Sequence, residues 1–254
     1  MKAASKFLLL VYNIYALLLF VTLMIVIFPF VILASFFGNI KGGNLIYYLC
    51  MLWADTWFIL VGIFHRNIYE SPHDTSKSYL FVSNHLSFLD AAVIVKTYRK
   101  PVRPLGRKET TRIPVFGYIY KKAIVTVDRG DTRDRAKSVR SLKAIIKKGI
   151  SILIFPEGTF NETHRPLKSF YDGAFRIAIE TQTPIKPVLF LDTYSRMHYS
   201  RILSLTPGRS RSIFLEEIPV EGLTLADVQM LKQKTYDIME KKLLEYKAPW
   251  IAEG

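Results

Sequence analysis

The chain opens on a long apolar run. From Phe7 to Phe37 there is no Asp, Glu, Lys, Arg or His. A straight helix of that length, at about 1.5 Å per residue, exceeds the roughly 30 Å hydrocarbon core of a bilayer. The run is therefore expected to tilt or break, with Pro29 as the break and Gly38, Gly42 and Gly43 as the turn after it. It is too long for a signal-peptide core and lacks a clear small-residue cleavage site, so it reads as a retained anchor. A second apolar stretch, Asn44 to Phe64, carries Tyr47, Tyr48, Trp53 and Trp57, aromatic residues suited to the headgroup level, and one charge, Asp55. A carboxylate in mid-membrane is costly, which makes this stretch interfacial, re-entrant, or packed with Asp55 towards protein or water. Residues 1–66 thus read as a membrane-embedded helical hairpin.

After Ser78 the pattern changes to short apolar strands alternating with helical periods. Strands are expected near Leu80, at Val102 to Leu105, Ile124 to Val127, Ile150 to Phe155 and Ile185 to Leu191, with helices from Phe88 to Val95, Lys108 to Tyr120, Thr132 to Lys148 and Gly173 to Glu180. Ile213 to Ile218 reads as one more edge strand and Ala226 to Tyr246 as an amphipathic helix. The alternation predicts that residues 67–254 form an α/β domain with a mixed, largely parallel sheet flanked by helices. Sites in such sheets assemble at the carboxyl ends of the strands, and His85, Arg129 and Glu157 each follow one.

The length of 254 residues allows one sizeable domain and an accessory segment. The formal charge of +14 points to an anionic partner, and the apolar front selects a membrane surface over nucleic acid. Basic residues flanking the apolar segment, with the strongly basic remainder, favour placing the α/β domain on the cytoplasmic face by the positive-inside tendency. Cys50 is the single cysteine, which removes disulfides and Cys-based metal frameworks. The five histidines show no metal-ligand spacing, so no metal is expected, and no serine-hydrolase elbow, P-loop or dinucleotide fingerprint occurs.

Two clusters carry candidate chemistry. In the first, the strand at Leu80 to Val82 exits through Ser83 and Asn84 onto His85, and Asp90 follows in the first turn of a helix capped by Ser87. Asp90 can hold one ring nitrogen of His85 and leave the other as a base. The same residues also read as a capping box, with Asp90 bonding backbone donors and His85 a solvated turn residue. In the second, another buried strand delivers Pro156, Glu157 and Gly158, either a tight turn or a carboxylate placed for catalysis.

These blocks resemble the 1-acyl-glycerol-3-phosphate acyltransferases of the wider glycerolipid acyltransferase group. Asn84, His85 and Asp90 match the spacing of that family's Asn-His-(four residues)-Asp motif, and Phe155 to Thr159 its Phe-Pro-Glu-Gly-Thr-Arg motif, with Phe160 in place of the final Arg. Val127, Asp128 and Arg129 resemble the second block; Lys108 and Glu109, with Pro114 and Gly117, the basic helix; and Thr183 to Val188 the last block. The resemblance covers roughly residues 78–191.

It implies an acyl transfer from acyl-CoA or an acyl carrier protein thioester to the free hydroxyl of lysophosphatidic acid, giving phosphatidic acid, with no metal or organic cofactor. His85 would be the base and Asp90 its orienter; Glu157 would orient the acceptor or hold the site together. Lys108 and Arg129 would clamp the acceptor phosphate, and the backbone around Gly158 and Thr159 would stabilise the oxyanion or bind the headgroup. Membrane lipids, a lysophospholipid acceptor and the thioester donor are the implied partners. Acylation of another lysolipid, such as a lyso-aminolipid, and a non-catalytic basic membrane-binding protein are the alternatives.

Overall fold

The computed structural model describes residues 2–128 and 130–251. Two N-terminal helices, α1 (Lys2–Ser35) and α2 (Gly43–Leu60), form a hairpin joined by a π-helical turn at Gly38–Gly42. Of the two expectations, a tilted run or a break at Pro29, the break does not occur: α1 runs through that residue, and the chain reverses at the glycines, as expected. Gly38 has φ +78°, and a side chain on Gly42 would collide with the Ala34 carbonyl.

The sheet has seven strands. They are β1 (Ile63–Tyr69), β2 (Leu80–Ser83), β3 (Val102–Arg107), β4 (Val125–Val127), β5 (Ser151–Ile154), β6 (Ile185–Phe190) and β7 (Gly208–Phe214), in the order β1-β7-β6-β2-β5-β3-β4. The five from β6 to β4 are mutually parallel; β7 runs antiparallel to β6, and β1 is parallel to β7. The sheet is therefore mixed and largely parallel. The strand expected at Ile213 to Ile218 starts earlier and is interior, because β1 pairs outside it. β1 was concealed in the apolar stretch ending at Phe64, and it straddles the boundary expected after residue 66.

Helices α3 (Asp90–Thr97), α4 (Phe116–Ala123), α5 (Thr132–Ile146), α6 (Gly173–Thr181), α7 (Thr193–Arg196) and α8 (Val228–Glu245) complete the fold. The helix expected over Lys108 to Tyr120 is split into a 3-10 turn at Lys108–Arg112 and α4. Pro114 forces Ile113 to an extended conformation, and Val115 takes φ +61°, a strained value for a β-branched residue.

Strand alternation fills two cores, one on each face. Phe81, Leu153, Val188, Phe190 and Phe214 face α2, α3 and α4, whereas Leu80, Ile152, Leu189 and Ile213 face α6 and α8. The first core takes in the hairpin itself: Ala16, Met24 and Val31 of α1 and Ile46, Trp57 and Phe58 of α2 are buried within it. Asp55 of α2 is turned to protein, where Lys96 of α3 and a fork from Arg99 at 2.8 and 3.0 Å neutralise it.

Candidate active site

The site grows from the end of β2. Asn84 is fully buried, and its side-chain amide imitates a peptide group: Nδ2 donates to the Phe190 carbonyl at 2.9 Å and Oδ1 accepts from the Phe190 N–H at 2.8 Å. The β2–β6 pairing is thereby extended past the strand, which fixes where the next residue leaves the sheet. That residue is His85.

Nδ1 of His85 lies 2.8 Å from Oδ2 of Asp90. A carboxylate can only accept, so Nδ1 carries the proton and Nε2 is left as a lone-pair base. The same Asp90 oxygen accepts from the Leu86 and Ser87 N–H groups at 2.8 and 3.0 Å. Through that one oxygen Asp90 both holds the backbone of the turn and orients the imidazole, while α3 starts after Leu89 rather than at a Ser87 cap and His85 is packed on Phe155 rather than solvated. Ser87 Oγ accepts from the Leu89 N–H and donates to the Met197 carbonyl, tying the turn to the loop after α7.

Glu157, at the exit of β5, is 2% exposed and faces inward. One carboxylate oxygen accepts from the His85 N–H and the other from the Lys168 N–H, both at 2.9 Å. The His85 carbonyl in turn accepts from the Asn161 N–H at 2.8 Å. Glu157 thus acts on His85 through its backbone, as a positioning residue, and its oxygens are committed to backbone donors.

Burial pushes the Glu157 carboxyl up to about 8, against the pull of its two backbone donors. Between its ordinary range and that value the native state keeps a proton the unfolded chain has released, so this residue's contribution to stability falls as pH rises through the window. Glu157→Gln cannot titrate and sets an amide NH2 against one backbone N–H. We expect the variant to be less stable than wild type by about 1–3 kcal/mol at acidic pH, with the gap narrowing from about pH 5 to about pH 8 in denaturant titrations; a gap that widens contradicts the assignment.

The imidazole is walled by aromatic rings. Phe155 stacks on it at 4.1 Å between centroids, Phe160 meets it edge-on at 4.5 Å, and Phe88 meets Phe160 at 4.9 Å. The His85 side chain keeps 25% of its surface, an opening for a reacting group in otherwise apolar surroundings. Gly158 has φ +75°, as the tight turn requires, and its N–H donates to the Phe155 carbonyl at 3.1 Å. The Thr159 hydroxyl accepts from Lys168 Nζ at 2.6 Å, and the same ammonium reaches the Phe160 carbonyl at 3.3 Å.

His85, Asp90, Glu157, Gly158 and Thr159 therefore form one cluster. Lys108 follows β3 on the same sheet edge, but strand spacing of about 4.8 Å puts the end of β3 roughly 10 Å from β2. Its ammonium is half-exposed and 3.7 Å from Asp134. Arg129 lies outside the described residues. Sequence reasoning gave no role to Phe155, Asn161 or the aromatic wall; only Phe160 stood out, as a departure from a motif.

Comparisons with known proteins give the family and the fold. The model of a family described as Acyltransferase matches residues 64–191. A 1-acyl-sn-glycerol-3-phosphate acyltransferase of Haemophilus influenzae is 31% identical over 169 residues, 65% of this chain and 68% of that protein. The human 1-acyl-sn-glycerol-3-phosphate acyltransferase alpha is 30% identical over 162 residues, 63% and 56% of the two chains. An uncharacterized acyltransferase of Schizosaccharomyces pombe is 31% identical over 175 residues; the alignment spans 66% of this chain and 61% of that relative's length. Among solved structures, the 1-acyl-sn-glycerophosphate (LPA) acyltransferase of Thermotoga maritima shares the fold with a TM-score of 0.74 at 22% identity, over 99% of this chain and 100% of the other. A family match across half the chain, laid over a sheet edge where an oriented histidine meets a braced glutamate turn, has one reading: the chain belongs to the acyltransferase family.

Proposed function

We propose that the protein transfers an acyl group from an acyl-CoA or acyl carrier protein thioester to the free hydroxyl of lysophosphatidic acid, giving phosphatidic acid. The observation that carries the reading is the Nδ1 contact with Asp90, which leaves Nε2 of a partly open histidine as the base. Nε2 takes the acceptor's hydroxyl proton as the oxygen attacks the thioester carbonyl. The carbonyl π electrons move onto oxygen, giving a tetrahedral oxyanion. Its collapse re-forms the carbonyl, breaks the C–S bond, and the departing thiolate takes the proton back from the imidazolium. With the Gly158 N–H already engaged, the oxyanion falls to the Thr159 N–H next along the turn. Proton transfer to Nε2 and attack on a thioester call for no metal in this scheme.

Lys168 supports a phosphate-bearing acceptor. Phe160 brings no charge beside the base, but the Lys168 ammonium sits against the carbonyl of that same residue and the Thr159 hydroxyl. A charge-assisted contact contributes about 1.5–3 kcal/mol, so Lys168→Ala should raise the KM for lysophosphatidic acid at least roughly tenfold with a smaller change in kcat. Phe160→Arg should alter acceptor preference more than maximal rate. A panel of lysolipid acceptors with one thioester donor, read by thiol release, checks both; turnover of a lyso-aminolipid with none of lysophosphatidic acid refutes the acceptor and leaves the base in place.

The hairpin supports a membrane location from one side. Among the described residues α1 is the one helix long and apolar enough to cross a membrane, with mean hydropathy 3.0. Its inner stripe, however, is tied along its length to the domain: Tyr12 donates to the Val61 carbonyl just before β1, and Ser35 meets the Tyr118 hydroxyl in α4. Those contacts are separated by roughly 35 Å of helix, and six strand spacings make a sheet about 29 Å wide. A helix bound across the width of the domain cannot stand upright in a bilayer without drawing the domain in. Its outer face, with Leu8, Leu18, Ile25, Phe30 and Leu33 exposed, would lie in the plane of one leaflet. The cytoplasmic leaflet suits the basic domain above it.

A further inference from the structure

At the boundary between β6 and β7, on the far side of β6 from His85, an open cleft of about 520 Å³ is lined by Asp192, Arg196, Arg209, Arg211 and Lys247. The one carboxylate is already matched: Arg211 grips Asp192 through two bonds at 2.8 and 2.9 Å. Arg209 and Lys247 are exposed, and neither has an ion-pair or side-chain hydrogen-bond partner among the described residues. Three elements therefore bring three unmatched cations to one concavity.

Two of those cations are held there at some cost. The Arg196 guanidinium donates to the Pro207 carbonyl and lies in the space that a side chain on Gly208 would fill; Gly208 has φ +131°. Its Nε is buried and has no acceptor, a donor left without the partner it would have in water. Lys247 takes φ +49° at the end of α8, where glycine or asparagine is the unstrained choice.

The neighbourhood points to a lipid. The loop joining Arg196 to Arg209 is clamped to the apolar helix α1, Asn13 accepting from the Leu205 N–H at 2.7 Å and donating to its carbonyl at 3.1 Å. At its tip the loop exposes Ile202 and Leu203. Apolar side chains beside unmatched cations, fixed to a membrane-facing helix, match the profile of an interface with apolar chains below and charged headgroups at its level.

We propose that the Arg196, Arg209 and Lys247 cleft binds the phosphate of an anionic phospholipid at the membrane rim, a site separate from the acyl-transfer centre and independent of which acceptor is acylated. The shared ligand chemistry is a phosphate ester, and its source is testable.

Arg209→Gln combined with Lys247→Gln removes two cations that make no internal contact. A charge-matched control, Lys234→Gln with Lys241→Gln, removes two exposed cations from α8. Each full-length protein is exchanged from detergent onto vesicles of phosphatidylcholine alone or of phosphatidylcholine mixed with phosphatidic acid, and partitioning is measured by flotation. The cleft variant is expected to lose about tenfold in partitioning to the anionic vesicles relative to wild type and to the control, with binding to neutral vesicles unchanged. Equal loss in the control, or no loss in the cleft variant, overturns the proposal. Thermal protection by inorganic phosphate in wild type but not in the cleft variant, without a vesicle effect, also overturns it, because the source is then a soluble anion.

Discussion

His85→Ala is expected to lower turnover at least about 100-fold while leaving the fold intact, since a positioned general base contributes roughly 10²–10⁴-fold. The fold survives because the turn is held by other atoms. Asp90 keeps its Leu86 and Ser87 donors, the His85 backbone keeps its bonds to Glu157 and Asn161, and Asn84 keeps its pairing with Phe190. What disappears is the imidazole stacked on Phe155. Steady-state kinetics on protein with an unchanged melting temperature checks this, and retention of more than about a tenth of wild-type kcat would remove His85 from the base role. Asp90→Asn should fall between the two. Asp90 Oδ1 is buried without a partner, so the amide can place its oxygen in the Oδ2 position and keep the turn while losing the charge that favours an imidazolium.

The second large effect concerns the hairpin. Removing residues 1–60 should yield no folded catalytic domain, because the hairpin is a large part of one core and not merely a tether. Trp57 is buried, donates to the Ala16 carbonyl at 2.9 Å, and packs edge-on with Phe20 and face-on with Trp53. Without α1 and α2, Phe116 and Tyr118, which pack on Phe20 and Phe28, and the faces of α3 and α4 turned to α2 would meet water, at about 25 cal/mol per Å² of apolar surface. Gel filtration and thermal melting of residues 61–254 in detergent test this, and a monomeric, cooperatively melting fragment would contradict it. In the full chain, Trp57→Ala gives a milder form of the same result, a loss of about 3–5 kcal/mol.

What the sequence made legible follows from the range of each signal. The alternation of β2, β5 and β6 and the turn residues after them are local, and they put His85 and Glu157 on one sheet edge, whereas Arg129, expected beside them, lies outside the described residues. β1 escaped because its first two residues end an apolar run while His65, Arg66 and Asn67 interrupt any alternation, and only pairing with β7, some 145 residues away in the chain, makes Ile63 to Tyr69 a strand. Pro29 leaves the helix unbroken because packing along α1 supports it, which overrides a local breaker. In the site, the bond from Asp90 to His85 spans five residues and was readable, whereas the brace from Glu157 to the His85 N–H spans 72 and was not. The aromatic wall combines Phe88, Phe155 and Phe160 from separate segments, each of which alone looks like core or surface.

Acyl transfer itself is tested most directly by following the acyl group. Purified wild-type protein in detergent or lipid is given lysophosphatidic acid and an isotope-labelled acyl-CoA, with acyl carrier protein thioester as a second donor, and products are identified by mass spectrometry. Labelled phosphatidic acid formed in step with free thiol, and absent with His85→Ala, is the predicted result. Thiol released with only labelled free fatty acid, or no release with either donor, would contradict acyl transfer to this acceptor.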